Sequence, residues 1–550
     1  MPEAFLILIG LGPFIFSSLT LETDNLRQFI FLLAVSLGIS GGIANTDSEH
    51  KTTRFSPCDW FILIFLTLRV LSCKWGTEYL WYSFPTVLME GLFGLSYLFL
   101  RLQVTKQKKV TTMAVALIVS IVCVNFGQWV LPEYFKPVLQ NRYSAQFFHP
   151  NLQGIYACVC FCVLLDARVR GKLLALSLGL VLLSVWLCQS RTALGALVLI
   201  LVYYSNKKTR VVLLLLSPLI FGFWFYSSSD SMENFRLNSG ISTDVRLSVY
   251  ESVINAIKDN PLGLGPGLIA ERINPYLSET FHYWMPNPAK NSLHNAHNTV
   301  LHYVCESGWL ILIPMIMFAG YCILDFHRRR SLSILVLVGT SLVDVHLQQF
   351  SSQILLIYLL ATHQQGPLQI PTIPITLQPL FLPAALTLGI MAPLMLHQQI
   401  YAGFLKSTLM SSQDIQDLKK YRETLEFNPW PIPVLKVQYL KLGSLIEEGH
   451  YDRALAGALK LHQLFSGYYL MEHIIGRLYL LKQEPELALI WVEKAIDLHP
   501  MEEENYLLLS EIYITMGEVK KADDAMKQYL SLGLRNQNFR DLYISSEKPD

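Results

Sequence analysis

A succession of apolar runs, joined by short polar loops except for one long insertion, fills the first 400 residues of this 550-residue chain, and it limits what the chain can become. A helix crosses a bilayer with roughly 20 mostly apolar residues, and about thirteen candidates are present. They are 4–20, 27–45, 59–73, 83–101, 110–131, 152–167, 172–189, 193–205, 211–226, 297–324, 331–345, 351–363 and 380–397. Several are short, which burial among neighbouring helices tolerates. Charged residues make up 15% of the chain, against about 25% in a typical soluble domain. A single water-soluble core of this size is therefore excluded. A net charge of +1 leaves no global basic field for nucleic acid. The cysteines lie between Cys58 and Cys322, mostly inside apolar runs, and read as small apolar fillers rather than thiolate ligands. The first apolar run lacks a basic flank and a cleavage site, so it reads as a retained helix.

Orientation follows from the Lys/Arg bias of the short loops. Lys51–Arg54, Arg101–Lys109, Arg168–Lys172, Lys207–Arg210 and Arg328–Arg330 all fall on one side, which this rule makes the cytoplasm. Three segments fall on the other face: Pro132–Asn151, the Ser190-Arg191 junction, and the long loop from Ser227 to about Ala296. Long loops in compact proteins are usually functional. Within this one, Thr243–Lys258 predicts a helix with Thr243 as N-cap and an apolar stripe of Leu247, Tyr250, Ile254 and Ile257. Asn260-Pro261, then Gly263, Gly265, Pro266 and Gly267, break it. That glycine cluster reads as a turn, since no strand precedes it as a nucleotide-binding fingerprint requires. Gly366–Pro379 reads as an extended linker.

From about Ser407 the composition becomes that of a soluble helical protein. Ala454, Ala488 and Ala522 are spaced by 34 residues; Gly449 and Gly517 precede theirs by five, with Gln483 at the middle position. Tyr479 and Tyr513 share the period, and Pro500 closes one unit. This is the tetratricopeptide period, and about three units over 433–533 meet the minimum for a stable stack. The expected fold is all-α: a polytopic membrane helix bundle of about 12–13 spans with a C-terminal tetratricopeptide-like solenoid. Its expected divisions are membrane helices at 1–226, an outer loop at 227–296, membrane helices and linker at 297–400, and repeats at 407–550.

Three polar groups stand where a membrane disfavours polarity, all assigned to the outer face. Arg191, in "QSRTALGALVL", reads either as a snorkelling arginine or as a phosphate ligand suited to the guanidinium fork. Arg246 reads as a solvated loop charge when taken alone. The segment "SLHNAHNTVLHYVCESGW" carries His294, His297, Asn298, His302 and Glu306 into an apolar run. Its imidazoles are either structural or able to take a proton from a hydroxyl near neutral pH. His294 and His297, or Asp344 and His346, lack an evident third ligand, so no metal is expected.

"AHNTVLHYVCESGWLIL" resembles the bacterial O-antigen ligase and O-antigen polymerase superfamily, which includes protein O-oligosaccharyltransferases. That family carries His then Asn, Ser or Gln, nine residues, then Gly; here these are His297, Asn298 and Gly308. Ile311 departs from the usual small residue or Tyr. "QSRTALGALVL", "DVRLSVYESVINAIKDNPLGLGPG" and "FFHPNLQGIYA", with Asn151, are similar to further family segments in the same order. The resemblance implies an all-helical glycosyltransferase of the GT-C type in the bacterial inner membrane. Its donor would be a glycan on undecaprenyl pyrophosphate, moved en bloc to an acceptor hydroxyl on the periplasmic face. It implies His297 as catalytic base and Arg191 and Arg246 as pyrophosphate ligands. His294, Asn298, His302, Glu306 and Asn151 would be supporting residues. The scheme is inverting and uses neither metal nor cofactor. The acceptor would be protein Ser/Thr, slightly preferred because a repeat tail offers a surface for proteins, or lipid A core. The alternatives are a repeat-unit polymerase and a non-catalytic scaffold or transporter.

Overall fold

The computed structural model describes residues 52–53, 56–74, 79–103, 114–115, 118–119, 121–122, 150–188, 190–227, 232–284, 293, 295–329, 331–342, 353, 355–357, 359–360, 375–376 and 435–545. The expected spans 4–20, 27–45 and 380–397, the 132–149 segment, Arg101–Lys109 beyond 103, His294, and Asp344 with His346 lie outside these residues. The described chain is almost entirely helical. The exception is a short antiparallel pair, β1 (Thr52–Thr53) with β2 (Ile375–Thr376), the latter inside the expected linker. Contacts divide the chain into two compact units. One comprises 1–67, 88–229 and 313–406; the other comprises 68–87, 230–312 and 407–550.

Two helices, α1 (Pro57–Leu71) and α2 (Tyr79–Gln103), precede the central helices of the first unit. Those are α3 (Pro150–Asp166), α4 (Lys172–Cys188), α5 (Arg191–Tyr204) and α6 (Lys207–Ser227). Helix α3 packs on α4 and α5, and α5 on α6. Gly154 makes the α3–α5 approach possible: a Cβ there would lie 2.5 Å from the Ala193 Cβ and 2.7 Å from the Cys188 Sγ. Ser190 caps α5 by accepting from the Ala193 N–H. The described cysteines are buried. Helix α4 departs from the soluble pattern: Ser177 and Ser184 are buried beside Val181 and Val185, while Leu176, Leu182, Leu183 and Trp186 are exposed. The buried serine is satisfied, since Gln153 Nε2 donates to Ser184 Oγ at 3.2 Å.

Among the described residues, one helical stretch, Trp309–Arg328, is long and apolar enough to cross a membrane; Gln153–Asp166, Lys172–Cys188 and Arg191–Tyr204 are shorter apolar helices. The expected single span at 297–324 is corrected. Gly308, at φ +77°, separates a short helix (Thr299–Ser307) from the apolar stretch. Only glycine takes that conformation readily, and a Cβ there would strike the Pro261 carbonyl.

In the second unit the loop helix α7 runs over Met232–Asp259, so it begins well before the expected cap at Thr243. The expected apolar stripe is corrected at Leu247 and Ile254, while Ile257 is buried as expected. Leu247 and Ile254 are exposed, while Ser248, Val249, Ser252, Val253, Ala256 and Ile257 are buried. Close approach helps decide the face: Ser252 Oγ accepts from the Ser278 N–H at 3.0 Å, a contact a larger side chain would forbid. Beyond α7 come α8 (Ile269–Arg272), α9 (Glu279–Trp284) and α10 (Thr299–Ser307). Helices α11 (Leu312–Arg329) and α12 (Ser333–Thr340) follow; α12 packs on α3 and α5 in the first unit.

The C-terminal part of the second unit is a run of six helices, each packed on the next: α13 (Leu435–Glu447), α14 (Tyr451–Leu464), α15 (Met471–Leu481), α16 (Pro485–Leu498), α17 (Glu503–Thr515) and α18 (Val519–Ser545). Ala454, Ala488 and Ala522 are buried at equivalent places. The turns before them repeat as well. Gly449, Gln483 and Gly517 have φ of +75°, +61° and +78°. In each turn the next residue's N–H reaches back to a carbonyl five residues earlier: His450 to Leu445, Glu484 to Tyr479, Glu518 to Tyr513. Gln483 holds a glycine's conformation with a Cβ attached, which costs about 1 kcal/mol or more. Gln483→Gly is expected to raise the melting temperature of the full chain, and Gln483→Ala to leave it near wild type.

Candidate active site

The geometry is set by α10. Asn298 is its N-cap, accepting from the Leu301 N–H at 3.0 Å. His297 precedes that cap with φ +47° and is half-buried. A non-glycine residue held there is strained, and such strain concentrates at functional positions. Its N–H donates to Asn295 Oδ1 at 3.2 Å, and its carbonyl accepts from the Tyr250 hydroxyl at 3.4 Å. Arg246, also half-buried, lies one turn before Tyr250 on the same side of α7. The α7 face carrying Arg246 is therefore the one that meets the His297 backbone.

At the other end of α10, Glu306 is enclosed. Its Oε2 lies 2.7 Å from Arg69 Nη1, the two side chains being 3% and 1% exposed. His302 Nε2 lies 3.1 Å from Glu306 Oε1, which also accepts from the Gly267 N–H at 2.8 Å. Arg69 donates to Ser307 Oγ at 2.8 Å and lies 5.0 Å above the Tyr303 ring. Glu306 precedes the apolar stretch. Burial pushes its carboxyl up, but Arg69 and then His302 outweigh burial and hold it down to about 2. The glycine turn clamps this end. Leu264 and Gly265 N–H groups donate to the Cys305 and Glu306 carbonyls at 2.8 and 2.9 Å. A Cβ on Gly263 would strike the Glu306 carbonyl, and one on Gly267 would strike Thr86 Oγ1.

The C-terminal helices pack directly on this assembly. Tyr79 donates to the Leu464 carbonyl at 2.8 Å, and the Arg272 guanidinium sits 4.3 Å above the Tyr79 ring. Leu268 joins the apolar core of α13–α15. His282 of the loop and His499 at the end of α16 are buried with ring centroids 5.9 Å apart. His499 Nε2 lies 3.0 Å from the Gly467 carbonyl. Burial, then the neighbouring His499, pushes His282 from 6.5 down to about 4. Burial lowers His499 too. The folded state therefore binds fewer protons than the unfolded one below pH 6.5. By linkage the stability of this unit falls as pH drops from about 6.5 towards about 4. Melting curves across that range should show the loss, and His282→Phe should flatten it.

Residues 155–316 match the family model described as O-antigen ligase. The match points to an O-antigen ligase-like glycosyltransferase. It includes Arg191, Arg246, His297, His302 and Glu306, and ends inside the apolar stretch. Comparison with curated proteins gives no match. Within the ligase-like segment, the second unit packs α7, which carries Arg246, against α10, which carries His302 and Glu306 and is preceded by His297 and Asn298. Arg191 is the first residue of α5 and Asn151 the second of α3, both in the first unit. Arg69 lies outside the matched segment and was missed from sequence. Its signal was a lone arginine inside the apolar run "FILIFLTLRVL".

Proposed function

We propose that the protein is an inner-membrane glycosyltransferase that moves a glycan en bloc from undecaprenyl pyrophosphate to an acceptor hydroxyl on the periplasmic face. The observation that carries this reading is the ligase match over the segment that holds His297 at the head of α10 against the Arg246 face of α7. In the proposed reaction His297 takes the acceptor proton as the oxygen attacks the anomeric carbon. Arg191 and Arg246 neutralise the pyrophosphate and stabilise charge building on it as it leaves. The outward apolar face of α4, over buried serines, supports a lipid surround. The reaction inverts the anomeric centre and draws on no metal.

The docking of α13–α18 on the loop supports a tail on the same side of the membrane as His297. Stacked helix pairs with 34-residue spacing read as tetratricopeptide-like repeats, which present surfaces to proteins. Protein Ser/Thr is therefore the preferred acceptor over lipid A core. A deletion strain tests this: glycoproteins should vanish on blots while O-antigen ladders persist. Loss of the ladders with glycoproteins intact would overturn the acceptor assignment.

A further inference from the structure

The first unit carries a charged surface that the proposed transfer does not use. Asp166, at the end of α3, accepts hydrogen bonds from Tyr204 at the end of α5 and from Ser331 before α12, the latter at 2.7 Å. The Leu332 N–H reaches the Tyr204 hydroxyl at 3.4 Å, and Tyr203 lies 5.3 Å from Phe326 near the end of α11. This polar hub ties three loops together at one end of the unit. Each loop is basic. Arg168, Arg170, Lys172, Lys207, Lys208 and Arg328 are exposed there. Among the described residues, no carboxylate pairs with any of them. Arg210 is engaged otherwise, donating to the carbonyls that end α5 at 3.1 to 3.2 Å.

Six clustered cations, none ion-paired among the described residues and outnumbering the carboxylates Asp166 and Asp325 beside them, call for an external anion. The neighbouring surface says which kind. Exposed Leu173 and Leu176 follow Lys172, exposed Val211, Val212 and Leu214 follow Arg210, and exposed Ile323 and Leu324 precede Arg328. A soluble polyanion would leave that apolar border in water. An amphiphile with a phosphate head covers both. We propose that this end of the first unit binds the phosphate headgroups of anionic phospholipids, gathered by loops that the Asp166 hub holds in place. The proposal rests on the membrane part of the reading above and not on glycosyl transfer. Basic pockets between helices on the cytoplasmic side are suited to such headgroups.

The test uses the full chain in nanodiscs of phosphatidylcholine, alone or with phosphatidylglycerol or cardiolipin. Retained lipid is counted by mass spectrometry after mild extraction, and melting is followed in parallel. Anionic lipid should be retained preferentially and raise the melting temperature. Arg170→Gln with Lys207→Gln and Lys208→Gln should weaken that retention about 100-fold, at roughly fivefold per charge. A control set in the tail, Lys520, Lys521 and Lys527 to Gln, should match wild type. Equal retention of neutral and anionic lipid, or a triple variant that behaves as wild type, overturns the proposal. So does stabilisation reproduced by inorganic phosphate alone. A chain that does not enter nanodiscs at all overturns the membrane reading beneath it.

Discussion

Arg69→Met is expected to destabilise the second unit by about 3–5 kcal/mol, because it leaves a buried carboxylate without its partner. Glu306 is 3% exposed and its other contacts, the Gly267 N–H and His302, do not supply a permanent cation. Glu306→Leu should cost a comparable amount by stranding the guanidinium. The double variant Arg69→Met/Glu306→Leu should recover most of the loss, since an apolar pair of similar volume is often as stable as a buried ion pair. Melting of the four full-length proteins in one detergent checks this. Losses that simply add in the double variant would mean the two side chains act separately. Because Glu306 closes the helix that His297 heads, the single variants should also lose transfer activity, and the double variant should regain part of it.

His297→Ala carries the second large effect. A positioned histidine base contributes about 10²- to 10⁴-fold to a proton-transfer step. The expected loss of turnover has that size, with donor binding retained, since the pyrophosphate is assigned to Arg191 and Arg246. Removing either arginine should instead weaken donor binding and turnover together, by about 10²- to 10³-fold, as for other groups that stabilise a developing anion. A His297→Ala protein that loses donor binding would show that His297 holds the head group rather than the acceptor proton.

Much of the helical layout was legible because it depends on local pattern. The apolar runs at 152–167, 172–189 and 193–205 correspond to α3, α4 and α5 within two residues at every boundary. The second helix of each C-terminal pair begins at Tyr451, Pro485 and Val519, repeating the 34-residue alanine spacing. The segments beside three of the five basic loops meet where Tyr204 and Ser331 donate to Asp166. What failed to show depends on partners distant in sequence. The close approach of Ser278 helps set the buried face of α7, so periodicity misplaced Leu247 and Ile254 while placing Ile257 correctly. The break at Gly308 follows from the Pro261 carbonyl lying against it, which no window of local hydropathy contains. Arg69 and Glu306 are joined across most of the matched segment, and only the fold reveals that pairing.

We propose that His297, Arg191 and Arg246, widely separated along the chain, serve a single glycosyl transfer. The most direct test counts product formed by purified full-length protein from an undecaprenyl-pyrophosphate-linked oligosaccharide and an acceptor protein, with His297→Ala, Arg191→Ala and Arg246→Ala alongside. Wild type should give a glycosylated acceptor, and each variant near-background product. Product formed equally by wild type and His297→Ala would contradict the proposal.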